Sequence, residues 1–439
     1  MPQNPTGLKF ITRALYSRNY RLFFAGQGVS LVGTWMQRIA IGWLVYRLTH
    51  SVFLLGTIGF ASQIPVLLLS PLAGVLADRW NRRPLLIITQ ALSMLQAFAM
   101  AVLVLTEGIA VWHIILLSIL LGIINAFDTP VRQSFVVEMI EKREDLGNAI
   151  ALNSSMFNGA RLLGPSIAGL LIAAVGEGIC FLLNGISYIA VIFALMEMKI
   201  VWKKPPTAKT HILRELKEGF VYSFGFVPIR SILILLGLVS LVAMPYTVLM
   251  PVFAKDILHG GPSTLGFLMG ATGVGALAGA FYLASRKNTE QLVTIIIFST
   301  SIFGAGLITF SMSRTFWLCL PLMSLTGFGM IAQMASCNTV LQTIADDAKR
   351  GRVMSFYTMA FLGTAPFGSF LAGSLASKIG TPHTLFLGGV CCTLASLVFA
   401  RRLPILKKAI GQAGFGKDVI SEVTVGIQKA TELTTPPKD

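Results

Sequence analysis

The stretch Gly74-Val75-Leu76-Ala77-Asp78-Arg79-Trp80-Asn81-Arg82-Arg83 decides how this chain folds. It ends one apolar run with an acid and three arginines, and a second apolar run begins at once with Pro84. Asp78 and Arg82 stand four positions apart, close enough to pair if a helix continues through them. Asn81 falls where the chain must reverse, and asparagine adopts the left-handed conformation more readily than most residues. The stretch therefore predicts two hydrophobic helices joined by a short basic turn.

The composition indicates a membrane protein. Hydrophobic residues make up 54% of the 439 residues and charged residues only 12%, whereas soluble domains carry about 25% charged residues. A helix needs about 20 apolar residues to cross a bilayer. Backbone in lipid must be paired internally, and continuous rather than alternating apolar runs indicate helices. Twelve such runs can be counted, at 20–46, 52–77, 84–106, 111–136, 149–175, 179–201, 229–252, 264–285, 290–311, 315–338, 352–377 and 383–402.

The distribution of Lys and Arg predicts the orientation. Basic residues concentrate near both ends and in the even-numbered turns between runs, and the opposite side carries only Arg47, Lys255, Arg314 and Lys378. Because basic loops stay in the cytoplasm, both termini are expected there. This bias and the attraction to anionic headgroups explain the net charge of +16. The expected partner is therefore the lipid bilayer, and no nucleic acid is expected.

The chain divides into two related halves. The residues around 212–220 segregate apolar and charged side chains at helical spacing, which is typical of a helix lying on a membrane surface. Glycines coincide at a shift of 204 residues, as in Gly164 with Gly368 and Gly169 with Gly373. Parallel repeats of this kind occur in transporters that bind substrate between the halves. The predicted divisions are an N-terminal cytoplasmic segment (1–19), a six-helix bundle (20–201), a cytoplasmic linker with an amphipathic helix (202–228), a second six-helix bundle (229–402) and a cytoplasmic tail (403–439).

Three charged residues sit well inside apolar runs: Arg38, Asp128 and Arg161. Each costs about 2.5–3.5 kcal/mol on insertion scales, so each needs a reason. No histidine lies deep in a run, which leaves Asp128 as the candidate for proton coupling. Two structural alternatives are an ion pair of Asp128 with Arg132 or Arg161, and a turn that ends the helix at Pro130.

The two intramembrane arginines outnumber the single acid. If Arg38 and Arg161 face a central cavity, they would attract anionic or hydrogen-bond-accepting substrates, and Gln37 and Trp35 could line the same cavity. The alternative is that the arginines are buried and paired with carbonyls and Asp128. The five cysteines lie in or beside apolar runs without the spacing of metal ligands, so neither a metal nor a cofactor is expected.

The opening stretch resembles the loop signature of the major facilitator superfamily, Gly-x-Leu-Ala-Asp-Arg-x-Gly-Arg-(Arg/Lys). Asn81 stands where that signature has glycine. The resemblance implies twelve transmembrane helices in two bundles and a role for this loop in the inward/outward switch. The alternative is a basic loop that only sets orientation. The matching positions with a predicted role are Gly74, Asp78, Arg79, Arg82 and Arg83.

A second stretch, 158–169, is similar to the helix-5 signature of exporters in that superfamily, Gly-x-x-x-Gly-Pro-x-x-Gly-Gly. Gly164, Pro165 and Gly169 match, and the similarity implies export. From the residues alone, the stretch predicts a kinked and tightly packed helix.

Longer stretches, 33–38, 127–154 and 338–355, resemble the branch of enterobactin-exporter-like and macrolide-efflux-like proteins. This implies a multi-pass transporter of the bacterial inner membrane that exports a small amphiphilic molecule, siderophore-like or drug-like, by proton antiport with alternating access. We expect it to be a monomer. The alternatives are an importer or a lysolipid-flipping facilitator of the same fold. A membrane-embedded enzyme is a further alternative, but no residues suggest catalysis.

Overall fold

The computed structural model describes residues 12–200, 212–286, 289–346, 349–404 and 406. Most of the predicted N-terminal segment, the start of the linker and nearly all of the tail therefore lie outside the described residues. So do the side chains of Gly74, Asp78 and Arg79, and with them the proposed pairing of Asp78 with Arg82.

Regular secondary structure in the described residues is helical throughout. The first half, called the N-terminal half below, contains helices α1 to α6; α7 lies in the linker; and the C-terminal half contains α8 to α15. The helices are α1 (Arg18–Thr49), α2 (Val52–Arg79), α3 (Arg82–Leu105), α4 (Val111–Met139), α5 (Leu146–Val175), α6 (Glu177–Glu197), α7 (Ile212–Gly225), α8 (Val227–Val242), α9 (Tyr246–Val252), α10 (Pro262–Ala284), α11 (Thr289–Met312), α12 (Phe316–Ile344), α13 (Arg350–Thr358), α14 (Ala365–Ile379) and α15 (Thr381–Arg401).

Eleven helical segments among the described residues are long and apolar enough to cross a membrane. Two of them are composite. Val227–Ile257 contains α8, α9 and the π-helical stretch Phe253–Ile257. Arg350–Ile379 contains α13 and α14, which are joined by the π-helical stretch Met359–Gly363. The helix α1 is not among the eleven, although it is 32 residues long. The all-α, multi-pass character predicted from the apolar runs is thus confirmed.

The turn between α2 and α3 differs from its prediction at Asn81. This residue has φ −65° and ψ 118°, an extended conformation rather than a left-handed one. Its side-chain oxygen accepts a hydrogen bond from the backbone N–H of Arg83 at 3.2 Å. Asn81 is therefore the N-cap of α3, a position that asparagine favours because it satisfies an otherwise unpaired helix N–H. The expected left-handed Asn81 is wrong, since capping replaces it.

Two helix pairs, α2 with α14 and α5 with α10, make the most extensive contacts between the halves, and α9 adds smaller contacts with α1 and α2. A Cβ atom built on Gly169 would lie 2.7 Å from the Cα of Gly266, and one built on Gly56 would lie 2.7 Å from the Cα of Gly373. Only hydrogen fits at these points, so glycine allows the two backbones to touch. Both contacts lie at the same end of the molecule, called the glycine end below.

The glycines related by the 204-residue shift occupy matching places. Gly164 packs against Trp35 of α1, and Gly368 packs against Leu241 of α8. Gly176 and Gly380 both turn the chain with positive φ, 84° and 86°. Their equivalent packing supports the internal repeat that the glycine spacing predicts.

The opposite end carries Arg82 and Arg83 and is called the basic end. Near the basic end, α5 exposes polar side chains, and their hydroxyl groups donate hydrogen bonds to backbone carbonyls of the same helix. The hydroxyls of Ser154 and Ser155 donate to carbonyls one turn earlier, both at 3.0 Å. Polar groups are costly against lipid, so this face of α5 borders a cleft between the halves.

Short segments before each half dock on the basic end. Arg13, in a 3-10 turn ahead of α1, pairs with Asp145 at 3.0 Å. In α7, Glu218 pairs with Arg352 at the start of α13 at 2.9 Å. Residues 212–225 are helical, and the described end of α7 packs on the C-terminal half.

Replacing Gly169 with alanine should lower the apparent melting temperature of the detergent-purified protein, because the added methyl would push α5 away from α10. Overpacking of this kind costs about 1–3 kcal/mol. Gly159 lies in the same helix with no atom within 4 Å of a built Cβ. Gly159→Ala should leave the melting temperature unchanged or raise it, because alanine is the better helix former. Equal shifts in the two variants would contradict the close-contact account.

Candidate functional site

Three side chains of α1 and α5 form a stacked cluster beside the cleft. The guanidinium carbon of Arg38 lies 4.9 Å from the ring centroid of Trp35, and that of Arg161 lies 5.8 Å from it. Such cation–π contacts contribute about 0.5–2 kcal/mol each, more when water is excluded. A Cβ on Gly164 would sit 2.5 Å from the Cβ of Trp35. Glycine at that position therefore brings α5 close enough to α1 for one ring to hold both cations.

The two arginines have no acidic partner. Among the described residues, no carboxylate oxygen lies within 4.0 Å of either guanidinium. Arg38 is exposed to solvent although it lies in the middle of the bundle, which places it on the open cleft. The alternative in which Arg161 pairs with Asp128 is therefore wrong for this conformation.

Arg161 also reaches across to the C-terminal half. Its Nη2 lies 3.4 Å from the sulfur of Met330 on α12. The buried hydroxyl of Tyr246 on α9 lies near the same guanidinium. Arg161 therefore contacts side chains of both halves near the middle of α5.

Asp128 sits in a separate polar pocket inside the N-terminal half. Its residue is 4% exposed, and Arg132 one turn later pairs with it at 3.1 Å. From α3, the Thr89 hydroxyl and the Gln90 amide donate to its Oδ1 at 2.9 and 2.7 Å. Arg132, Thr89 and Gln90 thus give this buried carboxylate three hydrogen-bonding or ion-pair partners. The predicted ion pair of Asp128 with Arg132 is thus present.

The predicted turn at Pro130 is absent from the described α4, which runs unbroken from Val111 to Met139 with Pro130 inside it. Neighbouring helices and side chains let transmembrane helices carry such a proline. The structural alternative that made Asp128 part of a helix end is therefore wrong.

Gln37 lies away from the cluster, in a chain of buried amides. Asn184 of α6 donates to its Oε1 at 2.5 Å, and its own amide donates to Gln96 of α3 at 2.8 Å. Gln96 in turn donates to the carbonyl of Leu117 on α4 at 3.2 Å. Gln37 is 2% exposed, so it cross-links α1, α3, α4 and α6 rather than lining the cleft.

The described arginines of the α2–α3 turn brace the basic end of the N-terminal half. Arg82 pairs with Glu138 near the end of α4. Arg83 donates from Nε to the carbonyl of Leu195 at 2.7 Å and from Nη2 to that of Met196 at 2.6 Å. These last carbonyls of α6 carry the negative end of its dipole, which a guanidinium stabilises.

The helix-5 residues divide between two contacts. Pro165 lies inside α5, Gly164 faces α1, and Gly169 faces α10. This segment therefore forms both the wall of the cluster and part of the glycine end.

Sequence reasoning missed Thr89, Gln90 and Glu138. The sequence does contain a signal for Thr89 and Gln90, because polar residues recur on one face of an otherwise apolar run. Thr89, Gln90, Ser93 and Gln96 stand at helical spacing and are all buried. No comparable pattern marks Glu138, whose partner is 56 residues away.

A bundle of apolar helices in two repeated halves around a polar cleft defines a multi-pass membrane transporter. The sequence profile of the transmembrane secretion effectors (MFS_3), a family of the major facilitator superfamily, matches residues 13–422. The chain belongs to this family. Its members are transporters and not enzymes, which supports the non-enzymatic interpretation.

The relatives are efflux-type transporters. The chain is 29% identical over 385 residues to the staphyloferrin A transporter of Staphylococcus aureus, covering 86% of this chain and 95% of that one. It is 27% identical to the multidrug efflux pump Tap of Mycolicibacterium fortuitum, covering 88% and 93%. It is 22% identical to macrolide efflux protein A of Streptococcus pyogenes, covering 87% and 96%. The expected family and its efflux branch are confirmed, and the protein is a multi-pass protein of the bacterial cytoplasmic membrane.

Gln37→Leu should lower the free energy of unfolding, because the side-chain N–H groups of Asn184 and the side-chain oxygen of Gln96 each lose their hydrogen bond with Gln37. Unpaired buried groups cost about 1–3 kcal/mol each. Thermal unfolding of the purified protein measures the effect, with Gln291→Leu on the exposed start of α11 as the matched control. A Gln37→Leu protein that melts with wild type would show that the amide chain is dispensable.

Proposed function

We propose that this protein exports a small amphiphilic molecule across the cytoplasmic membrane by proton antiport with alternating access. The observation that carries the proposal is a pair of guanidinium groups stacked on Trp35 in a cleft between two repeated halves, with no acidic partner among the described residues. The family and its efflux relatives support the direction of transport.

We infer twelve spans in two bundles, residues 20–201 and 229–402, joined by the linker 202–228. The helix α1 would supply the twelfth span, since its 32 residues extend about 48 Å and the hydrocarbon core is about 30 Å thick. Its residues Gln27, Ser30 and Gln37 are buried in the bundle and so do not meet lipid. The basic loops support a cytoplasmic location for both termini.

In this orientation the glycine end faces outward and the cleft opens to the cytoplasm. Alternating access then requires that the Gly56–Gly373 and Gly169–Gly266 contacts separate while the halves meet at the basic end. The braces that Arg82 and Arg83 form would keep the N-terminal half rigid during this movement, which is how the loop would take part in the switch.

The substrate is proposed to carry an acidic or hydrogen-bond-accepting group next to an apolar body. Arg38 and Arg161 supply uncompensated positive charge, and Trp35 supplies an aromatic face. Planar guanidinium groups bind carboxylates through paired hydrogen bonds. The protein would act on this substrate as a monomer.

Asp128 is proposed as the coupling group. It is the one buried acid near the cluster among the described residues within the spans, and its charge is balanced by Arg132 in this conformation. A rearrangement that moved Arg132 or the donors of α3 would leave a buried charge without a partner, which is costly. The competing function for Asp128 is a fixed structural pair with Arg132.

Proton-driven export should be lost in Asp128→Asn, because the amide cannot change its protonation state. Export from intact cells is measured with siderophore-like, macrolide and lysolipid compounds, with and without a protonophore. Glu197→Gln is the matched control, since this acid is 51% exposed and pairs with Arg18 at 3.6 Å at the surface.

Export that is abolished by the protonophore but persists in Asp128→Asn would assign Asp128 to the structural pair. Protein-dependent uptake of a compound would favour the importer, and movement of lysolipid alone would favour the flipping facilitator.

Arg161→Gln should raise the half-saturating concentration of an anionic substrate about tenfold, the loss expected when one charge-assisted contact is removed. A neutral substrate of similar size should change much less. Transport assays in proteoliposomes measure both. Equal effects on the anionic and the neutral compound would contradict charge recognition at the cluster.

A further inference from the structure

A groove on the outside of the N-terminal half, at the basic end, combines a cation with an apolar wall. It encloses about 310 Å³ between the start of α3 and the chain just after α6. The groove lies on the surface of the bundle and not in the cleft. Its lining residues are Asn81, Arg83, Pro84, Ile87, Ile88 and Ile200.

The polar rim of the groove has unused donors. Arg83 donates two hydrogen bonds to carbonyls of α6, and a guanidinium has five N–H donors in all. Those two bonds fix the position of the group, so the remaining donors are held at the mouth of the groove. Asn81 accepts a hydrogen bond from the N–H of Arg83 through its side-chain oxygen, which leaves its amide N–H groups available.

The charge at this rim is not neutralised. Its neighbours Arg82 and Arg18 pair with Glu138 and Glu197. Among the described residues, Arg83 has no carboxylate within 4.0 Å. A fixed guanidinium binds phosphate, as it binds carboxylate, through paired hydrogen bonds.

The apolar wall continues inward along α3. Pro84, Ile87 and Ile88 stand at i, i+3 and i+4 and share one face of the helix. Ile88 is 54% exposed and lies about 6 Å further along the helix axis than Pro84. Trp80 just outside the rim is 55% exposed, and tryptophan favours the level of the lipid headgroups.

We propose that this groove binds an anionic phospholipid. Arg83 and Asn81 hold the phosphate, and an acyl chain lies along Ile87, Ile88 and Ile200. The occupant is a lipid rather than free phosphate because the cation is joined directly to an apolar face that opens to the membrane. The site is independent of the transported substrate.

Native mass spectrometry of the full-length protein in detergent tests the site with added phosphatidylglycerol or phosphatidylcholine. Phosphatidylglycerol should bind about tenfold more tightly, because the choline cation of phosphatidylcholine offsets the charge of its phosphate and is repelled by Arg83. Arg83→Gln should abolish this preference. Because Arg83 also holds the end of α6, Ile88→Glu is the second variant, since it puts an acid on the acyl wall and leaves the α6 bonds intact.

The matched control is Arg286→Gln, an exposed arginine stacked on Tyr282 at 4.7 Å after α10. It should keep the preference for phosphatidylglycerol. The proposal is overturned if neither groove variant changes the preference or if Arg286→Gln removes it equally. It is also overturned if inorganic phosphate displaces phosphatidylglycerol at equal concentration, since the groove would then recognise the anion alone.

Discussion

Direct contact between helix backbones at the glycine end is the constraint on which the rest of the structure depends. Helices cannot gain a hydrophobic driving force from one another in lipid, so close packing holds the halves together. Gly169 with Gly266 and Gly56 with Gly373 bring the halves to touching distance at one end. Because the most extensive contacts between the halves belong to these two helix pairs, we infer that the halves diverge toward the basic end and leave the cleft.

The two halves contribute different side chains around that cleft. The N-terminal half contains the charged and amide residues: the cluster of Arg38, Trp35 and Arg161, the Asp128 pocket and the Gln37 chain. The C-terminal half offers Met330 and Tyr246 to Arg161. The buried amide chain and the loop braces make the first half a rigid unit, since partly satisfied polar groups in a low dielectric are costly. We therefore expect that moving the halves relative to each other requires less free energy than deforming the N-terminal half.

The helices could be predicted from the sequence to within a few residues because the membrane leaves no other backbone arrangement. The pair of Asp128 with Arg132 was also predictable, since it depends only on the i, i+4 spacing. The glycine shift picked out Gly169 and Gly373 at the interface but not their partners Gly266 and Gly56, and it could not tell which helices they face.

Contacts between distant parts of the chain were beyond the sequence. Gln37 was expected on the cleft because it is polar and near Arg38, yet its partners 59 and 147 residues away turn it inward. Asn81 was expected to be left-handed because the chain reverses there, yet the unpaired N–H groups at the start of α3 favoured a cap. In each case a hydrogen bond to another polar group determined the conformation. The local sequence pattern does not reveal that partner.

The central claim is that the halves exchange contact at the glycine end for contact at the basic end. Paired spin labels in a cysteine-free background measure both distances, at Leu48 with Ser377 near the glycine end and at Trp80 with Ser355 near the basic end. The account predicts that adding a transported compound or changing the pH lengthens the first distance and shortens the second. Distances that stay fixed, or that lengthen together, while export proceeds would contradict it.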